Sequence, residues 1–216
     1  MNSMNRSGRP ADRSPLEDLP TDVPDGSSIL VAKPAALTDR AVELQIAEHY
    51  AAPGSCHLVL STDVDGAQTV EQYRSIGDEG TGGRCGVVDA SDSDHPSAPF
   101  QTHPIVSLPN PADLSRIVLA LQQLESTLAG SSPTINVVAR SLTPVVERAR
   151  HDQVMRVVEQ LVERQRSAGG VAVFGLEYTR HDDRTMTALR RLVDAVVWVE
   201  TSAEDIRLDL DRGRIR

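Results

Sequence analysis

Short runs of consecutive apolar residues alternate with stretches in which apolar residues recur every three or four positions, from about residue 28 onward. The first pattern suits a parallel strand buried on both faces, the second a helix with one buried stripe. Ile29-Leu30-Val31 predicts a first strand. A connection from Lys33 to Thr38 follows, and Val42, Leu44, Ile46 and Ala47 predict a helix with Thr38 as its N-cap. Pro53-Gly54 breaks that helix, and Cys56 to Ser61 (CHLVLS) predicts a second strand. A helix carrying Val70, Tyr73 and Ile76 opens at Gly66 and closes at Gly77, and Cys85 to Ala90 predicts a third strand. Ser91 to Pro104 is polar and Pro-rich, hence a surface loop, with a small edge strand after it at Ile105 to Ser107. Leu114, Ile117, Val118, Leu121, Leu124 and Leu128 form the clearest stripe, capped by Asn110 or Asp113.

Ile135 to Ala139 predicts a buried strand. Thr143-Pro144 starts one helix running to about Ser167, with a capping hydroxyl, Pro at its first position, and Val154, Val157, Val158, Leu161 and Val162 on its buried face. Gly169-Gly170 ends it. Val171 to Leu176 predicts a further strand, and Asp182-Asp183 begin a helix carrying Met186, Leu189 and Leu192. Ala195 to Val199 and the alternating Ile206 to Leu210, joined by a turn at Ser202 to Asp205, predict a hairpin. The expectation is an α/β fold, a mostly parallel sheet with helices on both faces and a C-terminal antiparallel hairpin. Residues 1–26 have no apolar run and read as a disordered polar leader, leaving 27–216 as a single domain.

Charge narrows the range of functions. The net charge is −9, and the chain has one lysine, Lys33, against 21 arginines, with 19 aspartates against 12 glutamates and 3% aromatics. Non-specific nucleic-acid binding depends on neutralising phosphates, which an acidic surface disfavours. Asp-rich, Lys-poor composition resembles that of proteins from the salt-rich cytoplasm of extreme halophiles; the other reading is an ordinary acidic protein of a high-GC genome. Cys56 and Cys85 read as core thiols in a reducing cytoplasm, and neither a secretory signal nor a membrane-length apolar run is expected.

The strand, loop and helix from Ser28 to Tyr50 stand where a nucleotide-binding α/β domain puts its phosphate loop. Such a loop reads G-x-x-x-x-G-K-[ST], with glycines letting amides converge on phosphate, Lys supplying charge and the hydroxyl holding Mg²⁺. The connection here has no glycine. Aligned on Leu44-Gln45-Ile46, Thr38 stands at the second Gly, Asp39 at the Lys and Arg40 at the Ser/Thr, so a carboxylate would face the phosphates. Lys33 either swings in as a displaced phosphate lysine or caps the end of its strand. Asp39 and Arg40 read as helix-start charge and a surface arginine. His151-Asp152 and His181-Asp182-Asp183 lack a third ligand at metal spacing, and His95 and His103 are expected to be solvated. Ser141 lacks the G-x-S-x-G elbow of a hydrolase nucleophile. Arg148, Arg150, Arg156, Arg164 and Arg166, interleaved with Glu147, Glu159 and Glu163, predict an ion-paired face of one long helix rather than a nucleic-acid stripe.

Three collinear stretches, ILVAKPAALTDRAVELQI, LPNPADLSRIVLALQQLE and INVVARSLTPVVE, together with the segment from Arg156 to Glu200, resemble the RecA-like ATPases of the KaiC type. The likeness is to the haloarchaeal KaiC/GvpD-like proteins in particular and spans about Ser28 to Arg212. It implies a three-layer α/β/α fold with the catalytic parts degenerate. The Walker B aspartate position is Arg140, followed by Ser141, and the paired glutamates after the second strand fall near Thr62 and Asp63, so at most Asp63 keeps a carboxylate. Arg140 is expected to bridge to Asp63 or Asp39 as a built-in cation. The resemblance then implies a pseudo-ATPase that binds no cofactor, acting as a regulatory or protein-interaction module in a halophilic archaeal cytoplasm. Its partner would be another protein, a RecA/KaiC-like relative or a second copy. A divergent ATP-binding ATPase is the alternative, and a DNA-associated regulator the third reading.

Overall fold

The computed structural model describes residues 15–76, 83–92, 103–130, 134–201 and 206–212. Strand β1 (Ser28–Lys33) leads through a 3-10 helix (Ala35–Arg40) into helix α1 (Val42–His49). β2 (Cys56–Ser61), α2 (Gly66–Ile76), β3 (Cys85–Asp89), β4 (Ile105–Ser107) and α3 (Leu114–Leu128) follow. The second half runs β5 (Ile135–Ala139), α4 (Thr143–Arg148), α5 (His151–Ala168), β6 (Ala172–Glu177), α6 (Asp183–Leu192), β7 (Ala195–Thr201) and β8 (Ile206–Arg212). Among the described residues no helix is long and apolar enough to cross a membrane.

The strands form one sheet in the order β4-β3-β2-β5-β6-β1-β7-β8, parallel throughout except for the β7–β8 pair. The apolar runs have the cause expected of them: β1, β2, β3 and β6 are buried along their whole length, because helices cover both faces. On one face Leu30, Leu58, Leu60 and Phe174 pack against α3, α5 and α6 through Ile117, Leu121, Val158 and Leu189. On the other, Ile29, Val31, Val59 and Val87 pack against α1 and α2 through Leu44, Ile46 and Val70. The architecture is therefore a three-layer α/β/α fold.

The expected single helix from Thr143 to Ser167 is two. Ala149 and Arg150 are extended (φ −99°, ψ 166° and φ −69°, ψ 127°), and this breaks the hydrogen-bond ladder between α4 and α5. Thr143 does not cap: its hydroxyl accepts from the Glu177 amide at 3.0 Å across to β6. Part of the segment expected to be a leader is structured, while residues 1–14 lie outside the described residues. Pro15–Asp18 form a 3-10 turn, Leu16 and Leu19 pack into the α1/α2 layer, and Leu19 is buried. Asp113, not Asn110, caps α3, accepting from the Arg116 amide, and Gly169 ends α5 at φ 84°. His95, Gly77 and the Ser202 to Asp205 turn lie outside the described residues.

β1 lies between β6 and β7, and two strands, β6 and β5, separate it from β2, the next strand in sequence. The chain leaves β1 toward the α1 layer and leaves β6 toward the α6 layer. Where successive connections part to opposite faces, the carboxyl ends of the strands border a crevice, the usual ligand position in open α/β sheets. Lys33, Glu177, Arg140 and Asp63 all stand at or just beyond those ends.

Candidate functional site

Lys33, the last residue of β1, is fully buried, and its Nζ lies 2.9 Å from Oε1 of Glu43, which is equally buried. Glu43 is the second residue of α1, so its carboxylate sits at the positive end of that helix as well as beside the ammonium. The approach is oblique: neither Lys33 Nζ nor either Glu43 oxygen gains a well-directed hydrogen bond among the described residues. The opposite strand makes room for the pair. Gly175 of β6 stands beside Val31 in register, and a Cβ there would lie 2.6 Å from Glu43 Oε1 and 2.1 Å from the Arg140 carbonyl.

The connection from β1 to α1 takes a form that the missing glycines allow. Pro34 leads into the 3-10 helix, the Leu37 amide reaches the Pro34 carbonyl at 3.2 Å, and Leu37 is buried against the α1/α2 layer. Thr38 is thus inside this turn and is not the N-cap of α1. That position falls to Ala41, a non-glycine residue in the left-handed region (φ 47°, ψ 39°) that offers no side-chain cap. Arg40 is exposed, as expected of a surface arginine, and its carbonyl accepts from Gln45 Nε2 at 3.1 Å. The Thr38 and Asp39 side chains lie outside what is described.

Arg140, immediately after β5, is fully buried. Its Nη1 donates to Thr69 Oγ1 at 2.9 Å, Thr69 and Ser61 share a hydroxyl hydrogen bond of 3.0 Å, and Ser61 donates to the Val64 carbonyl. Each hydroxyl in this relay can accept once and donate once, so the chain from guanidinium to carbonyl is satisfied. The expected bridge to Asp63 does not form, and the other expected partner, Asp39, has a side chain outside the described residues. Both Asp63 carboxylate oxygens are shielded and lack a hydrogen-bond partner among the described residues. Ser141 is buried, its hydroxyl accepting from the Thr143 amide at 3.3 Å and its carbonyl from Thr62 Oγ1 at 2.6 Å. Ser141 and Thr62 are thus internal connectors with no open face.

The remaining candidates have structural roles. Asp152 pairs with Arg150 and Arg156, and Asp182 caps α6 by accepting from the Thr185 amide; the Thr185 side chain and then its amide hold the Asp182 carboxyl below the usual range. His181 Nε2 meets Thr143 Oγ1 at 3.0 Å, and burial lowers its basicity. The other arginines of α4 and α5 are ion-paired, but with carboxylates of other elements rather than with the interleaved glutamates: Arg148 with Asp92, Arg164 with Glu125 and Arg166 with Asp194. His103 is not solvated. It is half-buried, with Nδ1 taking the Cys85 amide at 3.2 Å and lying 3.3 Å from Cys85 Sγ. Burial pushes the Cys85 thiol up to about 12 and His103 down, so this is an inert core contact. Nearby, His57 Nε2 lies 2.9 Å from Glu48 Oε2, and this close contact with His57 holds the Glu48 carboxyl below its usual value.

The feature that sequence reasoning missed is Glu43. A phosphate brought to about 4 Å from its carboxylate would meet roughly 4 kcal/mol of repulsion at an effective dielectric near 20. The lysine that would offset such a repulsion is already engaged. These residues do not fit a nucleoside triphosphate with its metal. The model of DUF7504, described as a family of unknown function, matches residues 26–199, and no curated protein matches the chain.

Proposed function

We propose that this chain, which belongs to the DUF7504 family, is a RecA/KaiC-like domain whose phosphate site is closed by its own Lys33–Glu43 ion pair. In this reading it is a pseudo-ATPase, a regulatory or protein-interaction module of a halophilic archaeal cytoplasm. The buried pair is the observation that carries the reading. Phosphoryl transfer depends on positioning and on charge neutralisation by Lys and metal. Here the lysine is neutralised internally, the loop amides are folded into a 3-10 turn, and a buried arginine stands at the Walker B position. The strand order, with β6 between β1 and β5, supports the RecA-like part of the reading, because it sets the Walker A and Walker B positions on strands one apart.

Calorimetric titration of ATP and ADP with Mg²⁺, in roughly molar KCl to screen the acidic surface, tests it. No heat from either nucleotide, with a cooperative melt on the same sample, is the expected result. Binding tighter than about 100 µM, some −5.5 kcal/mol, would overturn the proposal and favour a divergent nucleotide switch.

A further inference from the structure

The sheet ends on one side at β4, a three-residue strand, and on the other at β8, a seven-residue strand whose described hydrogen-bonded neighbour is β7 alone. A strand of that length at an edge presents a row of backbone N–H and C=O groups ready to pair with another strand. The side chains of β8 alternate. Ile206 and Leu208 are buried in the α1/α2 layer with Leu210 packed beside them, while Arg207 and Asp209 are exposed on the opposite face. Asp211 on that face is paired with Arg190 at 2.6 Å. Neither Arg207 nor Asp209 closes an ion pair among the described residues, although Arg207 lies opposite Glu200 in register.

We propose that β8 pairs antiparallel with β8 of a second copy of this chain, about a two-fold axis through Leu208, extending the eight strands into a continuous sheet of both copies. A two-fold perpendicular to the sheet keeps each face on its own side, so only registers that place the axis on a residue are allowed. An axis on Asp209 sets that carboxylate against itself, and one on Arg207 sets two guanidinium groups together. With the axis on Leu208, Arg207 of each copy faces Asp209 of the other, giving two reciprocal ion pairs on the exposed face. On the buried face Ile206 meets Leu210 twice and Leu208 meets Leu208, so the α1/α2-side core continues across the junction. Arg207 and Asp209, the two charges of β8 without an ion pair among its described side chains, are the two this register pairs.

Sedimentation velocity of the full chain over a range of concentrations should show a reversible monomer–dimer equilibrium. Arg207→Asp and Asp209→Arg should each weaken the dimer by about tenfold or more, since each replaces two attractive cross-strand pairs by repulsive ones. The swapped double variant R207D/D209R should restore it. A wild-type chain that stays monomeric at every concentration overturns the proposal. So do single variants that dimerise as tightly as wild type, or a double variant that fails to recover. Hydrogen exchange on the unaltered protein gives a second readout that needs no variant to fold. Protection of the 206–212 amides should rise with protein concentration, and protection independent of concentration would also overturn the pairing.

Discussion

Replacing Lys33 by Met leaves Glu43 as an uncompensated carboxylate in a site with no solvent exposure, with no donor directed at it among the described residues. Removing one member of a buried ion pair costs about 3–5 kcal/mol, and for a chain of this size each kcal/mol lowers Tm by about 2–4 °C. Lys33→Met should therefore lower Tm by about 6–20 °C, and Glu43→Leu by a similar amount through the stranded ammonium. The pair itself is a different matter. With no further hydrogen bonds its attraction has to offset two desolvation costs, so an apolar pair of like volume should serve stability as well or better. The double variant K33M/E43L should therefore lie within about 1 kcal/mol of wild type or above it, giving a coupling of several kcal/mol in the double-mutant cycle. Thermal melts and urea titrations of the four proteins supply the numbers. Single variants within about 1 kcal/mol of wild type would refute the reasoning, because the pair would then be hydrated and open to exchange with a phosphate.

Two further predictions use the same chemistry. Gly175→Ala sets a methyl group 2.6 Å from Glu43 Oε1 and 2.1 Å from the Arg140 carbonyl, and the latter is backbone that cannot step aside. It should cost at least about 1–3 kcal/mol by overpacking in a urea titration, and a neutral result would mean the pair is not wedged against β6. Acid should weaken the fold in two stages. His103 and His181 are held below the ordinary histidine value of 6.5 by burial, so below that pH the unfolded chain takes up more protons than the folded one and stability falls. Glu48, held below its ordinary 4.5 mainly by its close contact with His57, contributes stability above that value and loses it at still lower pH. The urea midpoint should drop between about pH 7.5 and about pH 5.5, on either side of the ordinary histidine value, and His103→Gln should shrink the drop. A midpoint that rises on acidification contradicts the assignment.

The sheet was legible because its strands are buried on both faces, and a run such as Cys56 to Ser61 then has only one reading in the presence of flanking turn residues. The break between α4 and α5 was not, since Ala149 and Arg150 carry no glycine or proline and the valine stripe passes over them without interruption. Thr38 was misread as a cap for a related reason. Its hydroxyl suits a helix start, but burial of Leu37 draws the segment into a 3-10 turn and moves the start of α1 to Ala41. The sequence did hold a clue to Glu43. A single lysine at the end of a wholly apolar strand needs a buried counter-charge, and Glu43 interrupts the apolar face of the next helix between Val42 and Leu44. Reading the loop against the glycines of a phosphate grip drew attention to Asp39 and Arg40, where a G-x-x-x-x-G-K-[ST] loop would put its Lys and hydroxyl, and away from the helix flank that supplies the carboxylate.

Melting the wild-type chain with and without Mg²⁺-ATP tests the closed phosphate site most directly. A nucleotide bound at about 100 µM and supplied at about 5 mM would stabilise the fold by roughly 2.3 kcal/mol, raising Tm by about 5–9 °C. An unchanged Tm, in the protein whose Lys33–Glu43 pair is intact, is the outcome the account predicts. A rise of that size, concentration-dependent and absent with Mg²⁺ alone, would show that a nucleotide displaces Glu43 from Lys33 or binds without doing so, and either contradicts a site filled by the protein itself.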